Sequence, residues 1–248
     1  INPLYGFFVA RAGLGASESM RSKLAEYNDP RLSRAFITKQ GASGKEQAPG
    51  TADNAVYAPN GSPEQGTSKY GTSLFMYSIS APTLLLSYHE LKFLEAEALC
   101  RLGRDAKSAL KDAVVAGLLN AENSFSVSRK ELGKTLINPA SSITDTEAES
   151  YFDNTIEAKY TAEPLKTTMI QKYFALWGAS GEATESYNDV RRMKGLGENF
   201  IELKNPNSFP LRCPYGNSDT TTNAEVKAAY GNGQYVYSEN VWWAGGSR

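Results

Sequence analysis

Histidine and cysteine are scarce in this chain, and neither sign of charge is in excess. There is one His, His89, and it adjoins Glu90. Neighbours on a helix do not face one another, so the two form no dyad, and catalysis built on an imidazole base has little to draw on. The two cysteines, Cys100 and Cys213, lie far apart in sequence without other Cys or His at ligand spacing, which argues against a zinc site. Cys100 falls among apolar positions of a helical pattern and reads as a buried thiol; a disulfide to Cys213 is the alternative. Lys+Arg number 26 against Asp+Glu 27, so no positive field exists to hold a nucleic-acid backbone, and no nucleic-acid partner is expected. No apolar run is long enough to cross a bilayer. The opening "INPLYGFF" carries neither an initiator Met nor a charged leader, so the chain reads as processed or truncated, with any signal peptide or lipid-bearing cysteine expected upstream. Glycine-rich phosphate loops and acidic metal clusters are missing too. The expectation is no enzyme, no cofactor and no metal.

What the chain has is helical periodicity. At 248 residues it is long enough for one large domain or two small ones. "SESMRSKLAEY", Ser17 to Tyr27, opens on a capping Ser and places Met20, Leu24 and Tyr27 at helical spacing before the turn "NDPRL". The stretch "SYHELKFLEAEALCRLGRDAKSALKDAV" predicts two helices, 83–102 and 105–119, joined by a link so short that they pack as an antiparallel, tetratricopeptide-like hairpin. Gly117 with Asn120 reads as the end of the second helix. Further helices are expected at 145–161, 165–177 and 183–193. Gly41 to Ser73 is rich in Gly, Pro, Ser, Thr, Asn and Gln and reads as one long loop. The fold class is therefore mainly α, helical hairpins with long irregular loops.

The first hairpin helix carries Glu90, Glu95 and Glu97. Paired carboxylates hydrolyse glycosides only at a defined separation across a cleft, usually from different elements. With Lys92, Arg101 and Arg104 close by, ion pairing within a scaffold is the favoured reading. In "YNDVRRM", an anion site at Arg191 and Arg192 is weighed against one arginine paired with a carboxylate and the other exposed, and the second account is favoured.

Aromatics are plentiful, with 14 Tyr, 10 Phe and 3 Trp. Those at helical spacing, such as Phe93, Tyr173 and Trp177, read as core. Those read as loop residues, Tyr5, Phe7, Tyr57 and Tyr70, with Asn54 and Asn60 beside them, combine ring faces with amides in the way sugar recognition requires. They are the candidate ligand-binding residues, and Tyr235, Trp242 and Trp243 are the next candidates.

Five segments in order resemble the SusD/RagB family of outer-membrane lipoproteins of Bacteroidetes. They are "NDPRL", "SAPTLLLSYHELKFLEAEALCRLG", "IQKYFALWG" with "ESYNDVRRM", "FPLRCPYGNSDTTTN" and the terminal "VWW". The resemblance is to the C-terminal half of that family's single domain and spans nearly all of residues 1–248. It implies a SusD-like helical fold and a non-enzymatic, lipid-anchored subunit at the cell surface. Such a subunit captures oligosaccharide or polysaccharide, in some members peptide, for a TonB-dependent outer-membrane transporter. It also makes the three glutamates part of a signature scaffold helix. The rival reading is a helical-hairpin scaffold that binds only protein.

Overall fold

The computed structural model describes residues 1–11, 15–40, 45–47, 57–60, 70–137, 139–202, 204, 208–231 and 235–246. Two compact units are present, Ile1–Glu202 and Leu203–Arg248.

The first unit is mainly helical, as the periodicity predicts. Its helices are α1 (Pro3–Arg11), α2 (Glu18–Glu26), α3 (Tyr88–Arg101), α4 (Lys107–Leu132), α5 (Asp145–Tyr151), α6 (Glu157–Ala162), α7 (Pro164–Leu176) and α8 (Ala183–Gly195). Ser17, Ser87 and Thr144 cap α2, α3 and α5 by accepting the amides of Met20, Glu90 and Glu147, which satisfies donors that a helix start leaves open. α3 therefore starts at Tyr88, after the Ser87 cap, rather than at residue 83; residues 82–87 lead into it without helical structure.

The α3–α4 hairpin forms as expected, but α4 runs on to Leu132. Gly117 does not end it. A side chain there would bring its Cβ to 3.0 Å from Cβ of Ala175, so Gly117 lets α7 lie close against α4. The buried stripe Leu110, Ala113, Val114, Leu118, Ala121 and Phe125 continues straight through it.

The helix predicted at 145–161 is α5 and α6 made continuous by a π turn, Phe152–Ile156. Ala148, Phe152, Ile156 and Tyr160 are all buried although each lies four residues after the last. A regular helix has 3.6 residues per turn, so such a row would wind away from the core. The wider π turn brings it back into phase.

"NDPRL" is a core device. Asp29 and Arg31 are each 2% exposed, Nη2 to Oδ2 being 2.7 Å, and Tyr151 Oη donates to Asp29 Oδ2 at 3.3 Å. The Arg31 guanidinium also lies 5.7 Å over the Phe174 ring of α7.

Two further sequence expectations need correction. Residues 3–11 are helix, not loop. A small sheet draws two strands from the long-loop region, β2 (Lys45–Gln47) and β3 (Thr72–Ser73), and two from outside it, β1 (Phe36–Gln40) and β4 (Leu136–Ile137), in the order β3-β1-β2-β4. β1 is antiparallel to β2 and β3, pairing Thr38 with Gln47 and Phe36 with Ser73, while β2 is parallel to β4. Phe36 and Ile37 bury themselves, and Phe36 meets Trp177 at 5.3 Å between centroids.

The second unit holds two short helices, α9 (Asn217–Thr222) and α10 (Ala224–Tyr230). Both cysteines are free thiols, Cys100 half-buried and Cys213 exposed.

Candidate functional site

Residues 15–18 are threaded between two backbone segments. Ala16 N–H donates to Gly71 O at 2.7 Å, Ala58 N–H to Ala16 O at 2.8 Å, and Glu18 N–H to Ala58 O at 3.0 Å. Gly15 is required by the crowding, since a Cβ there would meet Ala58 Cβ at 3.0 Å and Tyr70 Cβ at 3.1 Å. On this ledge Ser17 Oγ donates to Asn60 Oδ1 at 3.0 Å. One turn along α2, the Arg21 guanidinium lies 5.1 Å over the Tyr57 ring, whose other neighbour is Phe36, edge-on at 5.3 Å. Burial raises the Tyr57 hydroxyl above its ordinary value, with Arg21 opposing it, so the phenol stays a neutral donor at physiological pH.

Tyr57 and Asn60 are thus brought together, with Ser17 and Arg21 added. Ser17 reads in the sequence only as a helix cap. Arg21, four residues on, shares its helix face, but its meeting with Tyr57 is a tertiary contact with no local signal. Asn54 lies outside the described residues. Tyr70 is 5% exposed and packs beneath Gly15, so it presents no open ring face, contrary to its expected place in an open loop.

Tyr5 and Phe7 sit on α1, which is tied down by Asn2: its N–H donates to Ile79 O at 2.8 Å and its Nδ2 to Ala81 O at 3.0 Å. Phe8 meets Tyr77 edge-on at 5.2 Å. Being two apart on a helix, Tyr5 and Phe7 leave it on different sides. Tyr5 is half-buried, whereas Phe7 is 53% exposed.

In the second unit, Trp242 and Trp243 stand on a 3₁₀ turn and are strongly exposed, and Tyr235 is half-buried. Tyr215 and Tyr230 lie 4.3 Å apart with the Arg212 guanidinium over both rings.

The α3 carboxylates are engaged in the scaffold. Glu97 Oε1 accepts from Arg101 Nε at 2.7 Å, and the carboxylate also pairs with Arg192 of α8. Arg101 makes a two-pronged pair with Glu198 at 2.7 and 2.9 Å, and Asp189 joins Arg192 to Lys172, each at 2.8 Å. Burial pushes the Glu97 carboxyl up, but the hydrogen bonds from Arg192 and Arg101 outweigh it and the net shift is downward. Glu95 pairs with Lys92 at 3.0 Å. Arg191 lies over the Tyr187 ring at 5.8 Å, so the two arginines divide as expected.

Glu90 differs. Burial, and then a hydrogen bond with the Glu182 carboxyl, raise its pKa to about 7. Glu182 also accepts the Ser87 amide and places Oε2 3.6 Å from Nε2 of buried His89, whose pKa burial lowers. Among the described residues, no cluster of three or more His, Cys, Asp or Glu is arranged to hold a metal ion. Among the same residues, no helix is long and apolar enough to cross a membrane.

A comparison with curated proteins returned no match. Among solved structures, a SusD/RagB family protein of Bacteroides thetaiotaomicron is 65% identical over all of this chain and 53% of its own, with a TM-score of 0.90. A Bacteroides vulgatus protein, described as an outer-membrane protein of nutrient binding, shares the fold at a TM-score of 0.59 and 20% identity, over 90% of this chain and 50% of its own. The chain thus spans about half the length of each. A family model matches residues 2–215 and carries the description "Starch-binding associating with outer membrane". By that match the chain belongs to the SusD-like family of outer-membrane-associated binding proteins.

Proposed function

We propose that this chain is the C-terminal part of a single SusD-like domain in a non-enzymatic, lipid-anchored receptor. The receptor captures oligosaccharide at the cell surface and delivers it to a TonB-dependent outer-membrane transporter. The observation that carries the reading is the family's starch-binding description, to which the Tyr57–Asn60 ledge adds the chemistry. A sugar needs an apolar ring face beside directional polar groups. Tyr57 offers the ring, held by Phe36 and Arg21, while Asn60 and Ser17 offer an amide and a hydroxyl next to it. Phe7 adds an exposed ring on α1, and Tyr5 and Asn54 complete the candidate set.

Calorimetric titration of the complete protein with starch oligosaccharides tests this. Tyr57→Ala and Asn60→Ala should each weaken binding about 2- to 10-fold, as expected when a stacking contact of about 0.5 to 1.5 kcal/mol or a comparable hydrogen bond is lost. Wild-type affinity in both variants and in Phe7→Ala would move the site to Trp242 and Trp243. Binding of unstructured peptides and no glycan would replace the sugar reading with the peptide one. Co-purification with the transporter tests delivery.

A further inference from the structure

Residues 82–87 cross to α3 as a strap without helical structure, and only two of them, Leu84 and Ser87, are withdrawn from solvent. Both are held by the turn that precedes α8. The Ser87 amide donates to Glu182 Oε1, and a Cβ on Gly181 would collide with the Leu84 carbonyl, so turn and strap lie in direct contact there. Leu85 and Leu86 between them are 89% and 66% exposed and add little packing of their own. The hold on the strap therefore depends on where Glu182 stays.

Glu182 is 2% exposed, and the groups that face it come from four elements. From α3, Glu90, 6% exposed, lies against its carboxyl, and His89 Nε2 stands 3.6 Å from its Oε2. From α8, Glu185 adds another negative charge near Glu90. From α7, Lys172 attracts the Glu90 carboxyl, but its ammonium is already paired with Asp189 at 2.8 Å. From the turn after α2, Arg31 acts with burial against a charged His89. Among the described residues, neither Glu182 Oε2 nor His89 Nε2 has a hydrogen-bond partner. A neutral Glu90 can rest beside an ionised Glu182. Two ionised carboxylates in one buried space repel, with no uncommitted cation to offset them. Glu90 is fixed within the first turn of α3, whereas Glu182 ends a turn and can move away.

We propose that the Glu90–Glu182 pair is a proton-operated latch, which holds the strap 82–87 against the turn before α8 in acid and releases it as pH rises. Burial first, and then Glu182, raise Glu90 from 4.5 to about 7 in the closed form, and opening returns it to water. Release therefore grows above about pH 5 and levels off above about pH 7.

Amide hydrogen exchange of the whole chain, followed by nuclear magnetic resonance and corrected for the intrinsic effect of pH, tests this. Protection at Ser87 should fall at least about tenfold between about pH 5 and 8, since a pKa difference of one unit already corresponds to about tenfold. At the upper pH, Ser87 should exchange faster than Val114 in the buried stripe of α4, at a rate that urea below the unfolding transition leaves unchanged, as a local opening requires. Glu90→Gln and Glu182→Gln should each hold Ser87 protection within about twofold over the same range, because either removes the titrating pair. The second keeps an oxygen that can accept the Ser87 amide, and either variant decides the matter if the other fails to fold. Constant protection at Ser87 in the unaltered chain overturns the proposal. So does a fall that persists in the variants. Exchange at Ser87 that matches Val114 and quickens with urea overturns it too, because the unit then opens as a whole.

Discussion

Removing the Asp29 carboxylate would leave the Arg31 guanidinium buried without its anion, since each residue is 2% exposed. An uncompensated buried charge costs roughly 3 to 5 kcal/mol, so Asp29→Ala should lower stability by that order in urea unfolding. Adding Arg31→Met should recover most of the loss, because the charge leaves with its partner. If the double variant is no more stable than Asp29→Ala alone, the pair is not the source of the loss. Glu90 gives a second prediction, with an opposite lesson. Its pKa rises from 4.5 to about 7 on folding, through burial and contact with Glu182. The folded state then holds a proton that the unfolded state has released. The stabilising contribution is complete below the unfolded pKa and is lost as pH rises through about 7. Glu90→Gln should therefore flatten the fall in stability between pH 5 and 8, and gain on the order of 1 to 3 kcal/mol above that window. An unaltered pH profile would refute the raised Glu90 pKa.

Elements whose period fits 3.6 residues were legible in the sequence, and those set by tertiary approach were not. The stripe Ala106, Leu110, Ala113, Val114 and Leu118 announces α4, but Gly117 and Asn120 imitate a helix end. Only the position of Ala175 explains the glycine. α1, "PLYGFFVAR", is apolar almost all round, so no stripe marks it as a helix. β1, "FITKQ", is too short for its alternation to stand out beside a glycine-rich stretch. The candidate site was half legible for the same reason: Tyr57 and Asn60 read as aromatic and amide in a polar loop, while the burial of Tyr70 depends on a contact with Gly15 from another segment. The α4–α7 approach yields its own prediction. Gly117→Ala gains up to about 1 kcal/mol of helix propensity but costs about 1 to 3 kcal/mol in overpacking, so thermal unfolding should show a net loss. Ala175→Gly added to it should reverse the loss. A stabilised single variant would mean that α7 can give way.

At the scale of the chain as a whole, a net charge of −1 leaves little long-range field. Capture of a neutral oligosaccharide should then change less than about twofold between 50 mM and 500 mM salt, a range in which screening strips attraction between separated charges. A steep decline with salt would identify a charged ligand, such as a peptide, and count against starch. The chain also has a natural place where its length can change. The π turn in the α5–α6 helix holds one residue more than a regular turn, so losing a residue between Phe152 and Ile156 should convert it to plain α-helix. That deletion would leave Tyr151 facing Asp29 and Tyr160 facing the amide of Ala106, and the helix signal in circular dichroism should persist. Deleting a residue from the regular turns of α7 would instead rotate half of the buried face outward and unfold the unit. A change in the length of this helix therefore has somewhere to occur without disturbing what lies at either end.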